Sequence, residues 1–257
     1  MCTVTYIPLQ STSQKFETFG KVIGSNFLLT SNRDENTART TAFLPEIFHI
    51  NNKKVVIPFD PVGKGSWIAA EENGRTVCLL NGAFEPHLPQ PPYRHSRGLI
   101  VTKYFNFRNL HDFTALFDFT GLEPFTLVVA EYGKLWELRW DFAKLNIAEL
   151  NEHKPYIWSS VTLYSPDVRL QRAWLFTEWV AKNYEALQLN TDLIFDFHLN
   201  ENSDIESIAI NRNNVMQTVS TTAVKVENQS VALQYRDLIN HQNETIRFGI
   251  QALKTAF

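Results

Sequence analysis

Two stretches, Cys2-Thr3-Val4-Thr5-Tyr6-Ile7-Pro8 and the run that closes on Ser31-Asn32-Arg33-Asp34-Glu35, decide how this chain is read. The first alternates well enough for a β-strand. Val22 to Thr30 supply a second apolar run, broken by Gly24 and Ser25, after a polar loop. Asn and Asp suit a turn, so residues 31–35 are expected to turn where the second strand ends. A hairpin of the two strands puts that turn either beside the terminus or at the far end, according to a register the sequence leaves open.

Further along, Ser66 to Ala70 and Arg75 to Leu80 flank Glu71-Glu72-Asn73-Gly74, and Asn-Gly between two apolar runs is the strongest short hairpin signal. The hairpin ends at Asn81. Residues 84–97 hold Pro86, Pro89, Pro91 and Pro92, which forbid regular structure and leave a loop able to serve as a lid. Gly98 to Phe119 fit one helix or two short ones. Phe125 to Glu131 and Leu135 to Trp140 read as strands joined at Tyr132-Gly133-Lys134, with another at Tyr156 to Leu163. Ser165-Pro166-Asp167 opens a helix running to about Leu187, because it offers a serine cap, a proline at the first helical position and an acid in the first turn. A second helix, Thr191 to Leu199, takes Thr191 as its cap. Thr218 to Val226 and Val231 to Tyr235 form a last hairpin, and the tail from Asn240 to Ala256 is ambiguously helical. Many hairpins with few long helices give an α+β fold, helices packed on antiparallel sheets.

Length and composition bound the class. At 257 residues the chain is long for an ordinary domain but within range of one layered domain, read as spanning residues 1–257. Its 19 Phe and 6 Trp are bulky core material, not the polar bias of a disordered chain. A net charge of −3 gives no broad basic field, so neither nucleic acid nor an anionic membrane is an expected partner. With no signal-like start and no apolar stretch of spanning length, the expected compartment is cytoplasmic. Cys78, inside Thr76-Val77-Cys78-Leu79-Leu80, reads as a buried strand residue, not as a disulfide partner of Cys2.

The chemistry centres on Cys2. Removal of Met1, usual before so small a side chain, gives Cys2 both a thiol and a free α-amino group. An α-amine titrates at about pH 8 and can take the thiol proton without a histidine, which is how an N-terminal nucleophile works. Read blandly, Cys2 is a small hydrophobe in a first strand. Asn32 to Glu35 are then a solvated turn whose ion pairs stabilise little, and Trp67 is core. Asn81 reads equally as a turn residue or as a polar group placed for a task.

Cys2, the Asn32-Arg33-Asp34-Glu35 run, Gly65-Ser66-Trp67 and Leu79-Leu80-Asn81-Gly82 together resemble the NRDE family, also called the transport and Golgi organisation 2 family. The resemblance implies a four-layer αββα sandwich of two antiparallel sheets between helical layers, as in N-terminal-nucleophile hydrolases. By analogy with cysteine-type amidases such as choloylglycine hydrolases, it implies that Arg33 lowers the Cys2 thiol pKa and that Asp34 orients the α-amine, although which of these neighbours faces the site stays open. It gives Asn81 the role of oxyanion donor, worth roughly 3–4 kcal/mol in a transition state. Asn32, Trp67 and Ser160 are the candidate substrate-binding positions. Ser160 and Val219 stand where the family often carries asparagine and arginine.

Two functions follow. The first is a cysteine N-terminal-nucleophile hydrolase cutting a non-peptide C–N amide of a small molecule. The second, favoured by the departures at Ser160 and Val219, is a carrier of the same fold for a hydrophobic ligand such as haem or an acyl lipid. No cofactor is expected. The seven histidines lack ligand-like spacing, so no metal site is expected, and Gly63-Lys64-Gly65 is too short for a phosphate loop.

Overall fold

The computed structural model describes residues 2–10, 25–200, 207–227 and 230–249, with Cys2 described by its backbone. One seven-stranded sheet contains β1 (Cys2–Pro8), β2 (Phe27–Asn36), β10 (Tyr156–Ser159), β11 (Asn211–Arg212), β12 (Met216–Glu227), β13 (Ser230–Asp237) and β14 (Gln242–Gly249). Its order is β10-β1-β2-β12-β13-β14, with β11 paired to β12. The other runs in chain order through β3 (Glu46–Ile50), β4 (Lys53–Ile57), β5 (Ile68–Glu71), β6 (Thr76–Asn81), β7 (Phe125–Glu131), β8 (Lys134–Trp140) and β9 (Leu145–Leu150). Every pairing in both sheets is antiparallel.

Strand alternation builds the layers. Val4, Tyr6, Phe27 and Leu29 meet Ile68, Ala70, Cys78 and Leu80 in a core between the sheets. The alternate residues Val77, Leu79, Leu127 and Val129 pack outward under the helices α1 (Gly98–Tyr104) and α2 (Leu110–Leu116). On the far side, Ile7, Leu28 and Ala223 pack under α3 (Pro166–Leu189) and α4 (Leu193–His198). The result is the expected αββα sandwich. Because β6 and β7 are buried on both faces, their sequences read as unbroken apolar runs.

The α3 cap forms as expected: Ser165 Oγ accepts from the Val168 amide, and Pro166 occupies the first helical position. Other expectations are corrected. Ser31 to Glu35 do not turn but continue β2, because β12 pairs along the same stretch from Phe27 to Asn36. The expected start of this strand at Val22 lies outside the described residues. The strand at Tyr156 stops at Ser159, where Leu163 and Tyr164 amides turn back onto the Ser160 carbonyl. Thr191 is not the cap of α4; Asp192 is, without a side-chain cap bond. Gln242 to Gly249 of the tail form β14, since β13 offers them a free edge, and the remainder of that expectation lies outside the described residues. Two strand pairs were missed. The β3–β4 hairpin turns at Asn51 and Asn52, both left-handed (φ 48° and 61°), a form that Asn tolerates. The β8–β9 hairpin turns at Asp141, whose Oδ1 accepts from the Ala143 and Lys144 amides.

One backbone contact fixes the rim of the sandwich. The Ser66 amide donates to the Gly98 carbonyl at 3.0 Å, joining the entry of β5 to the start of α1. A Cβ at Gly65 would lie 2.3 Å from the Gly98 carbonyl carbon, a backbone atom that cannot step aside. Gly65→Ala is therefore expected to cost about 2 kcal/mol and lower the melting temperature by roughly 4–8 °C. Thermal unfolding checks this, and an unchanged midpoint would refute the tight approach.

Candidate active site

The register of β1 against β2 decides which residues meet. Cys2 pairs with Arg33, Thr3 with Asn32 and Val4 with Ser31, so the charged end of β2 lies beside the start of β1. A strand sends successive side chains to opposite faces. Arg33 and Glu35 reach a cavity at the edge of the inter-sheet space, while Asn32 and Asp34 point under the helical layer.

The cavity encloses about 160 Å³ and is lined by Arg33, Glu35, Arg39, Asp60, Trp67 and Asn81, among others. Arg33 is only 4% exposed. Its Nη2 donates to Asp60 Oδ2 at 3.0 Å, and its guanidinium lies 5.0 Å from the centre of the Trp67 ring. Arg39 donates to the same Asp60 oxygen at 2.8 Å. The other Asp60 oxygen accepts from the Val62 and Gly63 amides. Burial works against the Asp60 charge, but the Gly63 amide, Arg33 and Arg39 outweigh it and hold the carboxyl below its ordinary range. Asp60 is thus a fixed anion that locks Arg33 in place. Were it removed, a nearly buried cation would lose its best partner, a change that is strongly destabilising where burial is complete.

Asn81, at the end of β6, lines this cavity and also a second one beyond it. Ser160 is buried and donates from Oγ to the Asn81 carbonyl at 2.8 Å, tying the turn after β10 to the end of β6. Trp67 is 6% exposed and forms cavity wall as well as core. Val219 is buried at the irregularity where β12 slips register between Thr218 and Ser220.

Asn32 and Asp34 do not join the cavity. Asp34 is fully buried, accepting from the Tyr164 hydroxyl at 2.8 Å and the Thr218 hydroxyl at 2.7 Å. Burial pushes its pKa up, against those hydroxyls and the charge of Arg172. Arg172, itself buried, lies over the Tyr164 ring and donates to Thr3 Oγ1 and to the Ser207 and Ile208 carbonyls. The Asn32 amide donates to the His198 and Ile208 carbonyls, and its oxygen accepts from Thr221. That oxygen can only accept, so His198 Nδ1, 3.0 Å away, carries a proton, and Nε2 lies 2.8 Å from the Thr5 hydroxyl, which donates to it when the ring is neutral. Burial, and then the charge of Arg172, favour the neutral imidazole and push its pKa down to about 3.

Within the charged run of β2, the structure thus separates two groups: Arg33 lies with Trp67 and Asn81 at the cavity, and Asn32 and Asp34 lie in a packed polar network on the other face. The sequence reading missed Arg39 and Asp60. For Asp60 a local signal existed, since Asp60-Pro61-Val62-Gly63 suits a side chain that folds back onto its own backbone amides. Its pairing with Arg33 joins β2 to the loop between β4 and β5, which no local pattern carries.

The Transport and Golgi organisation 2 family matches residues 18–235, most of the chain. The chain belongs to that family. Crystal structures of two variants of the conjugated bile acid hydrolase of Clostridium perfringens, one arginine-to-leucine and one cysteine-to-alanine, are similar to this family member over its length. Their TM-scores are 0.57 and 0.56 at 13% identity, covering 97% of this chain and 94% of theirs. The N-acylethanolamine-hydrolyzing acid amidase ortholog of Caenorhabditis elegans gives a TM-score of 0.52 at 11% identity, covering 86% of this chain and 91% of that one. Among curated proteins none matches the sequence. At these identities the likeness fixes the fold, that of the N-terminal-nucleophile hydrolases.

The neutral His198 has a measurable consequence. Below pH 6.5 the unfolded chain takes up a proton there that the folded protein refuses until about pH 3, so stability is lost as pH falls through that window. Between pH 7 and pH 5 this one group is expected to remove roughly 2 kcal/mol. In urea denaturation, His198→Gln is expected to lose correspondingly less than the unmodified protein over that interval. Equal losses would show that His198 is not held neutral.

Proposed function

We propose that this chain is a cysteine N-terminal-nucleophile hydrolase that cleaves a non-peptide C–N amide of a small molecule, with Cys2 as nucleophile once Met1 is removed. The observation that carries the reading is the pairing of Cys2 with Arg33, a nearly buried cation locked by Asp60 beside a cavity that also reaches Asn81. A fixed cation near a thiol favours the thiolate. Both solved neighbours are named as hydrolases, one of them an acid amidase. The Cys2 α-amine accepts the thiol proton, and the thiolate attacks the carbonyl carbon to form a C–S bond. Asn81 donates to the oxyanion. The C–N bond then breaks, the leaving amine takes the proton from the α-ammonium, and water attacks the acyl-enzyme, giving its proton to the α-amine and releasing the acid with the thiol restored. Asp34 supports this from behind, anchoring β2 to β12 and to Tyr164.

A cavity of about 160 Å³ lined by several charged side chains suits a small amide better than haem or an acyl chain, for which sites of about 300–1,000 Å³ are usual. A panel of short N-acyl amides, read by release of the amine, tests the proposal. Cys2→Ala is expected to lose at least roughly a thousandfold in turnover, and Arg33→Gln about ten- to a hundredfold, both with near-unchanged secondary structure. Full turnover in Cys2→Ala would refute it.

A further inference from the structure

Residues 84–97, which link β6 to α1, are tied firmly at both ends and lightly between them. At the β6 end the Gly82 amide donates to the Pro124 carbonyl at 3.0 Å, the Gly82 carbonyl accepts from Thr126 Oγ1 at 2.9 Å, and the Ala83 carbonyl accepts from Arg139. At the other end the Gly98 carbonyl holds the Ser66 amide. Between these points, one backbone hydrogen bond among the described residues joins the segment to a distant part of the chain, from the Arg94 amide to the Gly121 carbonyl at 2.9 Å. Apolar burial adds little, since Leu88 is 82% exposed and Phe84 47%. A stretch with so few backbone bonds and buried contacts opens at low cost, while its tied ends stay in place.

Side-chain fastenings hold the segment down, and they converge on one place. Glu123 meets His87 Nε2 with one carboxylate oxygen at 3.1 Å and Arg97 Nη2 with the other at 3.0 Å. Arg97 also donates to the Pro124 carbonyl, and Arg94 donates to the carboxylate and the carbonyl of Asp118. All these partners belong to residues 118–124, just before and at the entry to β7. The ion pairs are partly exposed, so each holds weakly and re-forms readily. Ser96 and Arg97, at the end of the segment, are wall of the cavity that Arg33 and Asn81 line. Releasing Glu123 therefore frees that wall.

We propose that residues 84–97 are a strap that opens and closes over this cavity, with Glu123 as its clasp. Pro86, Pro89, Pro91 and Pro92 fix φ at four positions, so the strap moves as a stiff flap about its tied ends. In the closed form the cavity holds about 160 Å³; opening widens the way in for a ligand, and closing seals it there. The strap stands on its own fastenings, and only the passage of an amide beneath it rests on the hydrolase reading. Glu123 is a positioning residue, acting through Arg97 and His87.

The structure also offers a lock. A Cβ at Gly121 would lie 3.5 Å from the Arg94 Cβ, within disulfide range, so Arg94→Cys with Gly121→Cys can bolt the strap shut on oxidation and free it on reduction. The test is the rate at which Cys2 is labelled by a bulky reagent, fluorescein maleimide, relative to a small one, iodoacetamide, with the label mapped by peptide mass. Taking the ratio of the two rates removes any change in thiol reactivity. Glu123→Ala is expected to raise the bulky-to-small ratio about tenfold, and Glu123→Gln, which keeps the shape, to raise it less. The oxidised double variant is expected to lower the ratio by about tenfold, and reduction of the same sample to restore it, so that a folding defect cannot mimic the lock. A ratio unchanged by both the Glu123 variants and the lock overturns the strap. A ratio that moves as expected in a protein that cleaves no amide upholds the strap while removing the hydrolase reading, and amide turnover with an unmoved ratio does the reverse.

Discussion

The antiparallel pairing of β1 with β2 is the constraint on which the site depends. It sets Cys2 opposite Arg33 and, through the period of two along a strand, sorts the residues that follow onto two faces. Both faces are buried, so a slip of one residue would carry Arg33 into the helical layer and Asp34 between the sheets. Each face holds its register independently. Between the sheets, Arg33 has Asp60 and Trp67; under α3 and α4, Asn32 and Asp34 bond to His198, Thr221, Tyr164 and Thr218. A network so extensively hydrogen-bonded specifies one arrangement more sharply than apolar packing alone.

The two faces differ in chemical character, and the difference suits their tasks. The network under the helices buries Asp34, Arg172 and neutral polar groups among hydrogen bonds to one another, with Arg172 Nε left without an acceptor among the described residues. The space at the edge of the sheets is bounded by Asp60, which the Val62 and Gly63 amides and two arginines hold ionised. A cation fixed in this way keeps its orientation without the entropy that a solvated arginine would lose when a nucleophile is charged beside it. The loop that supplies Asp60 is in turn pinned by the close approach of Gly65 to Gly98. The position of Arg33 is therefore linked through that loop to the start of α1.

Much of the sandwich was legible in the sequence, and the reasons are specific. The β5–β6 hairpin announced itself through Asn73-Gly74, and α3 through Ser165-Pro166, because these signals act within a few residues. Ser31 to Glu35 were misread as a turn because their polarity is that of a loop; what makes them strand is pairing with β12, nearly two hundred positions away in the chain. β14 went unseen for a different reason: it pairs with the adjacent β13, but as a polar edge strand it has only Ile246 and Phe248 alternating inward to reveal it. Asn81, Trp67 and Arg33 were found from the family pattern and do share one cavity. Asn32 came with them by sequence adjacency, yet adjacency along a strand places neighbours on opposite faces. Asp60 went unseen because its meaning lies in a contact between β2 and the loop that joins β4 to β5.

The most direct measurement is the intact mass of the protein before and after brief alkylation at mildly acidic pH. Cys78 is fully buried, so Cys2 is the thiol expected to report. Loss of Met1 with fast single labelling mapped to Cys2, well below the ordinary thiol range near about pH 8.5, is the expected result. Retention of Met1, or a Cys2 that reacts only as an ordinary thiol does, would contradict a nucleophile activated by its own amine and by Arg33.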